Sequence, residues 1–124
     1  MNLNDLLGQL DSDPLVRGKQ FEPWCKWFLR NDPVYAREFK HVWLWKEWPD
    51  RWKETEAGID LVAETNAGEL WAIQVKAYGE DESVTMPNMS QFLAESARRG
   101  SRGKPLFTYR LLIATTEHLS FHVE

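Results

Sequence analysis

Apolar and polar positions follow different rhythms along this chain, and each rhythm predicts an element. Phe21, Trp24, Cys25, Phe28 and Leu29 recur at three- and four-residue steps, which gathers them on one face of a helix. Pro23 falls inside that run, and a proline within a helix removes a hydrogen bond and costs about 3 kcal/mol. The helix therefore either starts near Glu22, with Pro23 in its first turn, or is longer and kinked at the proline. NDPVYAREFKH predicts a second short helix, capped by Asn31 or Asp32 with Pro33 at an early position. Residues 42–45, VWLW, are β-prone, and the polar connection KEWPDRWKETEAG follows. Residues 58–64 and 69–77 form the clearest pair of strands, joined by a turn at Thr65–Gly68. NMSQFLAESARR reads as a helix with Ser90 as its cap and Met89, Phe92 and Leu93 inward. RGSRGKP is a loop, TYRLLIATT a buried strand, and LSFHV a last short strand or an edge.

Behind a short helix or arm at residues 3–10, the order is α, α, β, β, β, α, β with the final short strand. That is an α/β fold, a central mixed sheet flanked by helices. The 124 residues are 43% apolar, with seven Trp and six Phe, enough to fill the core of a single domain. No repeat, low-complexity tract or Gly/Ser-rich linker divides it. An arm over residues 1–15 and a core over 16–116 are expected, and the ending at HVE suggests a domain excised from a larger protein. Short apolar runs predict no membrane span, and the N-terminus lacks the basic-then-apolar layout of a secretory signal, so a cytoplasmic setting is expected. The single cysteine, Cys25, forms no internal disulfide and reads as a small buried apolar residue.

The net charge is −4, which does not advertise a nucleic-acid binder. Its distribution changes that picture. Between Ser83 and Thr116 five cations, Arg98, Arg99, Arg102, Lys104 and Arg110, face Glu95 alone, so this segment is +4 and the remainder −8. Arg98, Arg99, Arg102 and Lys104 are candidate DNA-phosphate contacts; the plainer alternative is a solvated helix end, where cations suit the negative pole. Trp43, Trp45, Trp48 and Trp52 read as packing residues rather than a base-stacking platform. His41, His118 and His122 have no metal-ligand spacing.

The stretch GIDLVAETNAGELWAIQVKAY, residues 58–78, carries the chemistry. In a strand, side chains two apart share a face, so Gln74 and Lys76 point together while Ile73, Val75 and Ala77 point the other way. If the two strands pair through residues 65–68, Asp60 falls opposite the Gln74–Lys76 end. A carboxylate with an amide or backbone carbonyl is a hard oxygen donor set suited to Mg²⁺. A neighbouring lysine orients or deprotonates the attacking water, and its charge stabilises an anionic transition state. Gly58 permits close approach of backbone or substrate to the acid.

GIDLVAE followed by WAIQVK resembles the D-x(n)-(D/E/Q)-x-K core of the PD-(D/E)XK nuclease superfamily, in the QxK form of Mrr-like restriction endonucleases. RGKQFEPWCKWFL resembles the G-x-x-FE helix motif of the same group. WLWKEWPDRW and RLLIATT resemble flanking segments of the N-terminal nuclease domain of large restriction-helicase proteins, including the type ISP restriction-modification enzymes. The resemblance runs from about Val16 to Thr116. It implies a restriction-endonuclease-like fold and an endodeoxyribonuclease that serves phage defence. Asp60, Gln74 and Glu22 would hold Mg²⁺, with Mn²⁺ as a substitute, and the carbonyl of Val75 would be the backbone ligand. Lys76 would be the catalytic lysine. The implied partners are double-stranded DNA and, in the same polypeptide, helicase or translocase and methyltransferase or specificity domains. Two other readings of the fold are an inactive DNA-binding or docking domain and a repair or Holliday-junction nuclease.

Overall fold

The computed structural model describes residues 14–54, 58–77, 86–100, 103–115 and 119–123. The helix expected at residues 3–10, Arg102 and His118 lie outside them. Helix α1 spans Pro14–Asn31 and α2 Pro33–Glu38; strand β1 spans Phe39–Leu44 and leads into a single 3-10 turn, Trp45–Glu47. Strands β2 (Leu61–Thr65) and β3 (Leu70–Ala77) follow, then helix α3 (Met86–Ser96) and strands β4 (Tyr109–Thr115) and β5 (Leu119–Val123). The five strands form one sheet in sequence order. Only β3 and β4 run parallel, and α3 lies in the crossover between them; the other neighbours are antiparallel. The expected mixed sheet with flanking helices is the fold, and LSFHV is a strand paired to β4.

The structure settles or shifts several boundaries of the pattern-based expectation. Of the two courses open to the first helix at Pro23, it takes the longer, passing through the proline. Phe21, Cys25 and Leu29, all fully buried, lie on both sides of the proline in one cluster with Val42, Leu61, Ala63, Ile73 and Leu111. Burying such side chains contributes about 1.5–3 kcal/mol each, which outweighs the single lost backbone bond. Ser90 lies inside α3 and is not its cap, because that helix starts at Met86. The β2–β3 ladder starts at Leu61 instead of Gly58, a difference that shapes the site. At α2 the alternative is resolved: Asp32 is the cap, its carboxylate accepting from the Val34 and Tyr35 amides at 3.1 and 3.3 Å.

The sheet is covered on both faces. On one lie α1 and its cluster. On the other, Val62 and Ala72 pack with Trp45, Trp48, Ile59, Phe92 of α3 and Phe107. Trp45 and Trp48 are 1% exposed and Trp52 is half-buried edge-on against both, so these three indoles are core. Trp43 packs at the margin of that cluster and His41 stacks on it from the surface. Among the described residues no helix is long and apolar enough to cross a membrane.

Glu47 ties the two layers together. Its carboxylate accepts from Lys26 of α1 at 2.8 Å and from the Leu44 amide at 2.9 Å. The Lys26 hydrogen bond is the main reason its carboxyl titrates below the ordinary 4.5. A depressed folded-state pKa contributes stability above the unfolded value and loses it as pH falls through the folded value. Lowering the pH below about 4.5 should therefore lower the melting temperature of the native chain. Glu47→Gln should start lower at neutral pH and lose less across the same acid window; parallel curves for the two proteins would refute this role. Differential scanning calorimetry at pH steps measures it.

Candidate active site

The site is built where β2 parts from β3. Their ladder ends at the Leu61–Ile73 pair, with one more backbone bond from the Asp60 amide to the Ile73 carbonyl at 2.9 Å. Beyond that point β3 continues alone on this edge, and the Val75 amide has no β2 carbonyl opposite. The Asp60 side chain takes its place: Oδ2 accepts from the Val75 N–H at 2.8 Å. The Asp60 carbonyl meanwhile accepts from the Trp45 amide at 2.9 Å, which fixes the backbone that carries the acid. In an extended strand the N–H and C=O of one residue project from the same edge, so the Val75 carbonyl also faces the gap occupied by Asp60.

Glu22 reaches this region from α1. It is buried, well inside the helix rather than at its N-terminus, so the helix dipole does not account for its position. Lys19, one turn earlier, lies 3.5 Å from its Oε2. Cys25 stands three residues beyond Glu22 on the same helix face. Burial pushes its thiol well above the ordinary value, and the nearby charges of Asp60 and then Glu22 push it further. Both carboxylates therefore lie within electrostatic range of one sulfur, which brings the α1 acid and the β2-edge acid into one neighbourhood. Cys25 is buried as the sequence predicted; its place beside the acids was not anticipated. The available signal was its i+3 spacing from Glu22.

Gln74 and Lys76 share the face of Ala72, away from Ile73 and Val75. Gln74 is 5% exposed and its Nε2 donates to the Gly58 carbonyl at 3.4 Å. That donation sets the amide's orientation and leaves Oε1 buried without a hydrogen-bond partner. A buried amide oxygen with nothing to accept from is costly unless some other group uses it. Lys76 is half-buried on β3, in register with Ala114 of β4. Gly58, at φ +77°, lies close against α3: a Cβ there would meet Gln91 Cγ at 2.8 Å.

Among the described residues no three His, Cys, Asp or Glu side chains cluster as a metal site. The candidate donors are two carboxylates, an amide oxygen and a main-chain carbonyl. That set suits Mg²⁺, a hard cation commonly held by one or two carboxylates while it keeps several waters. The orphaned Oε1 of Gln74 fits it.

The basic segment is divided. Arg98 lies over the Trp52 ring, 4.4 Å from its centroid, and so caps the tryptophan cluster. Arg99 donates to the Gly103 carbonyl at 3.1 Å, and Arg99 and Lys104 are both exposed.

Residues 30–124 match the Mrr_cat_2 family of restriction endonucleases. The chain belongs to that family. The matched span contains Asp60, Gln74, Val75 and Lys76 and begins after Glu22. Among solved structures, the chain is similar to the ATP-dependent type ISP restriction-modification enzyme LlaBIII bound to DNA, at TM-score 0.69 and 30% identity over 94% of this chain. The chain spans 7% of the length of that enzyme. The curated proteins offer no match. The fold is thus that of a Mrr-like restriction endonuclease domain.

Gly58 and Gly68 both have positive φ, 77° and 85°, but only Gly58 lacks room for a Cβ. Gly68→Ala should cost about 1 kcal/mol from backbone strain alone. Gly58→Ala should cost more, about 2–3 kcal/mol, since it adds overpacking against α3. Equal losses on urea denaturation would show that the approach to Gln91 carries no weight.

Proposed function

We propose that this restriction endonuclease domain is a metal-dependent endodeoxyribonuclease, the cleavage module of a larger restriction-modification protein. The observation that carries the reading is the partnerless, buried Oε1 of Gln74, one register position from an acid seated on the Val75 amide. Asp60, Gln74, Glu22 and the Val75 carbonyl would hold Mg²⁺, or Mn²⁺ in its place. When bound, the dication supplies positive charge where negative charge develops on the phosphate.

The chain's own groups do the rest. The Val75 amide holds the Asp60 carboxylate at the end of the ladder, and the Gly58 carbonyl holds the Gln74 amide, so both oxygens are positioned before substrate arrives. The Lys76 ammonium orients the attacking water and stabilises the charged transition state. The water oxygen bonds to phosphorus as the P–O3′ bond breaks, leaving a 5′-phosphate and a 3′-hydroxyl that takes the proton.

Duplex DNA as substrate is supported by the similar type ISP enzyme, which is described as bound to DNA. The ATP-dependence in that enzyme's name supports a translocase, with methyltransferase and specificity parts, in the remainder of the polypeptide. Sequence recognition would reside there, the setting would be the cytoplasm, and a double-strand break would need two such domains.

Plasmid DNA incubated with the domain and Mg²⁺ or Mn²⁺ should be nicked. Asp60→Ala and Lys76→Ala should each reduce nicking by about 100-fold or more. Nicking that persists unchanged in both variants, or its absence from the native chain at high protein concentration, would contradict an active domain and favour a docking role.

A further inference from the structure

The sequence counts Arg110 only as one cation in a basic segment. The fold gives it a place. The end of α3, the loop after it and the start of β4 enclose a cleft of about 530 Å³. Arg99, Lys104 and Arg110 line it together with Ser96 and Thr108, and no carboxylate is among the described residues that do so. On a chain of net charge −4, three cations around one cavity are a local reversal of sign.

The cleft is held in shape by its own hydrogen bonds. The Arg110 Nε donates to the Ser96 hydroxyl at 2.7 Å, which ties the start of β4 to the last turn of α3. The loop closes on itself through Gly100 N–H to Lys104 O at 2.7 Å and Leu106 N–H to Arg98 O at 3.0 Å. Arg99 and Lys104 therefore project from a braced loop, which lowers the entropy lost when they grip an anion. Arg98 is diverted to Trp52 and is not part of the lining.

The cleft also has a fixed relation to the candidate active site. Arg110 pairs in register with Ala72, and Ala72, Gln74 and Lys76 follow one another on the same face of β3. At ~3.3 Å per residue, Gln74 and Lys76 lie ~7 and ~13 Å along the strand from Arg110. That offset is too long for one phosphate to touch both ends and short enough for one duplex to span them.

We propose that this cleft holds a backbone phosphate of duplex DNA other than the one cleaved, and that Arg99, Lys104 and Arg110 supply a grip independent of base sequence. The inference rests on the nuclease reading for its choice of ligand. Phosphate contacts of this kind position a duplex without reading it and make binding salt-dependent.

The test is equilibrium binding of a fluorescent duplex of about 20 base pairs, without divalent metal and at a series of salt concentrations. Arg99 and Lys104 are exposed, so Arg99→Gln with Lys104→Gln should leave the fold intact, as circular dichroism would confirm. The double variant should bind at least about 10-fold more weakly at low salt, and its log K against log salt slope should be shallower by about 2. Lys40→Gln with Lys46→Gln removes the same charge elsewhere on the exposed surface and should leave the slope unchanged. Equal loss in both double variants, no loss in either, or no duplex binding by the native chain overturns the proposal. Displacement of the duplex by millimolar inorganic phosphate to the same extent in the native chain and the Arg99/Lys104 variant would also overturn it. The two readings fail separately: a native chain that nicks plasmid while the Arg99/Lys104 variant binds normally loses only the cleft. One that never nicks, yet loses binding in that variant, keeps the cleft and loses the nuclease.

Discussion

The hydrogen bond from the Val75 amide to the Asp60 carboxylate is the interaction on which the site depends. A β-ladder satisfies each backbone amide with a backbone carbonyl of its neighbour, and a strand that outruns its partner leaves amides to be satisfied by other means. Here β3 outruns β2, and an acid placed one residue before β2 closes the deficit. The same bond fixes where the carboxylate stands, at the sheet edge between the two layers. Glu22 approaches from the α1 side, and Gln74 points to the α3 side.

Both hydrophobic clusters serve that edge. Phe21, Cys25 and Leu29 press α1 onto the sheet and bring Glu22 with them, although the helix must run through Pro23 to do so. On the other face Trp45, Trp48 and Ile59 pack around Ala72 and Val62. Trp45 also donates its amide to the Asp60 carbonyl, so the tryptophan cluster and the acid share one stretch of backbone. The buried oxygen of Gln74, which accepts no hydrogen bond, is intelligible as a group awaiting a ligand.

Much of this is legible in the sequence because it depends on local periodicity. The α1 face, the β2–β3 hairpin, the buried β4 strand and the sharing of a face by Gln74 and Lys76 all follow from steps of two, three or four residues. What was not legible depends on tertiary packing. Local rules leave Pro23 open to a helix start or a helix interior, and only the sheet beneath α1 decides for the interior. Ser90 has the chemistry of a cap, yet α3 starts earlier. Gly58 makes room for Gln91 of α3, a neighbour that its local sequence does not indicate. Arg98 was grouped with its neighbours by charge, but an indole lies under it; Arg110 gained its setting from Ser96, fourteen positions away in sequence.

The family match is to a restriction endonuclease domain, and the similar type ISP enzyme is far longer than this chain. On the proposed reading, two carboxylates, an amide oxygen and a main-chain carbonyl at the end of the β2–β3 ladder form one cation site. A crystal soaked in Mn²⁺ and measured at a wavelength with manganese anomalous signal tests it directly. The expected result is an anomalous peak at roughly 2.0–2.3 Å from an Asp60 carboxylate oxygen, with Gln74 Oε1 or the Val75 carbonyl as a second ligand. A saturated crystal whose only peaks lie away from Asp60, or that shows no peak, would contradict it.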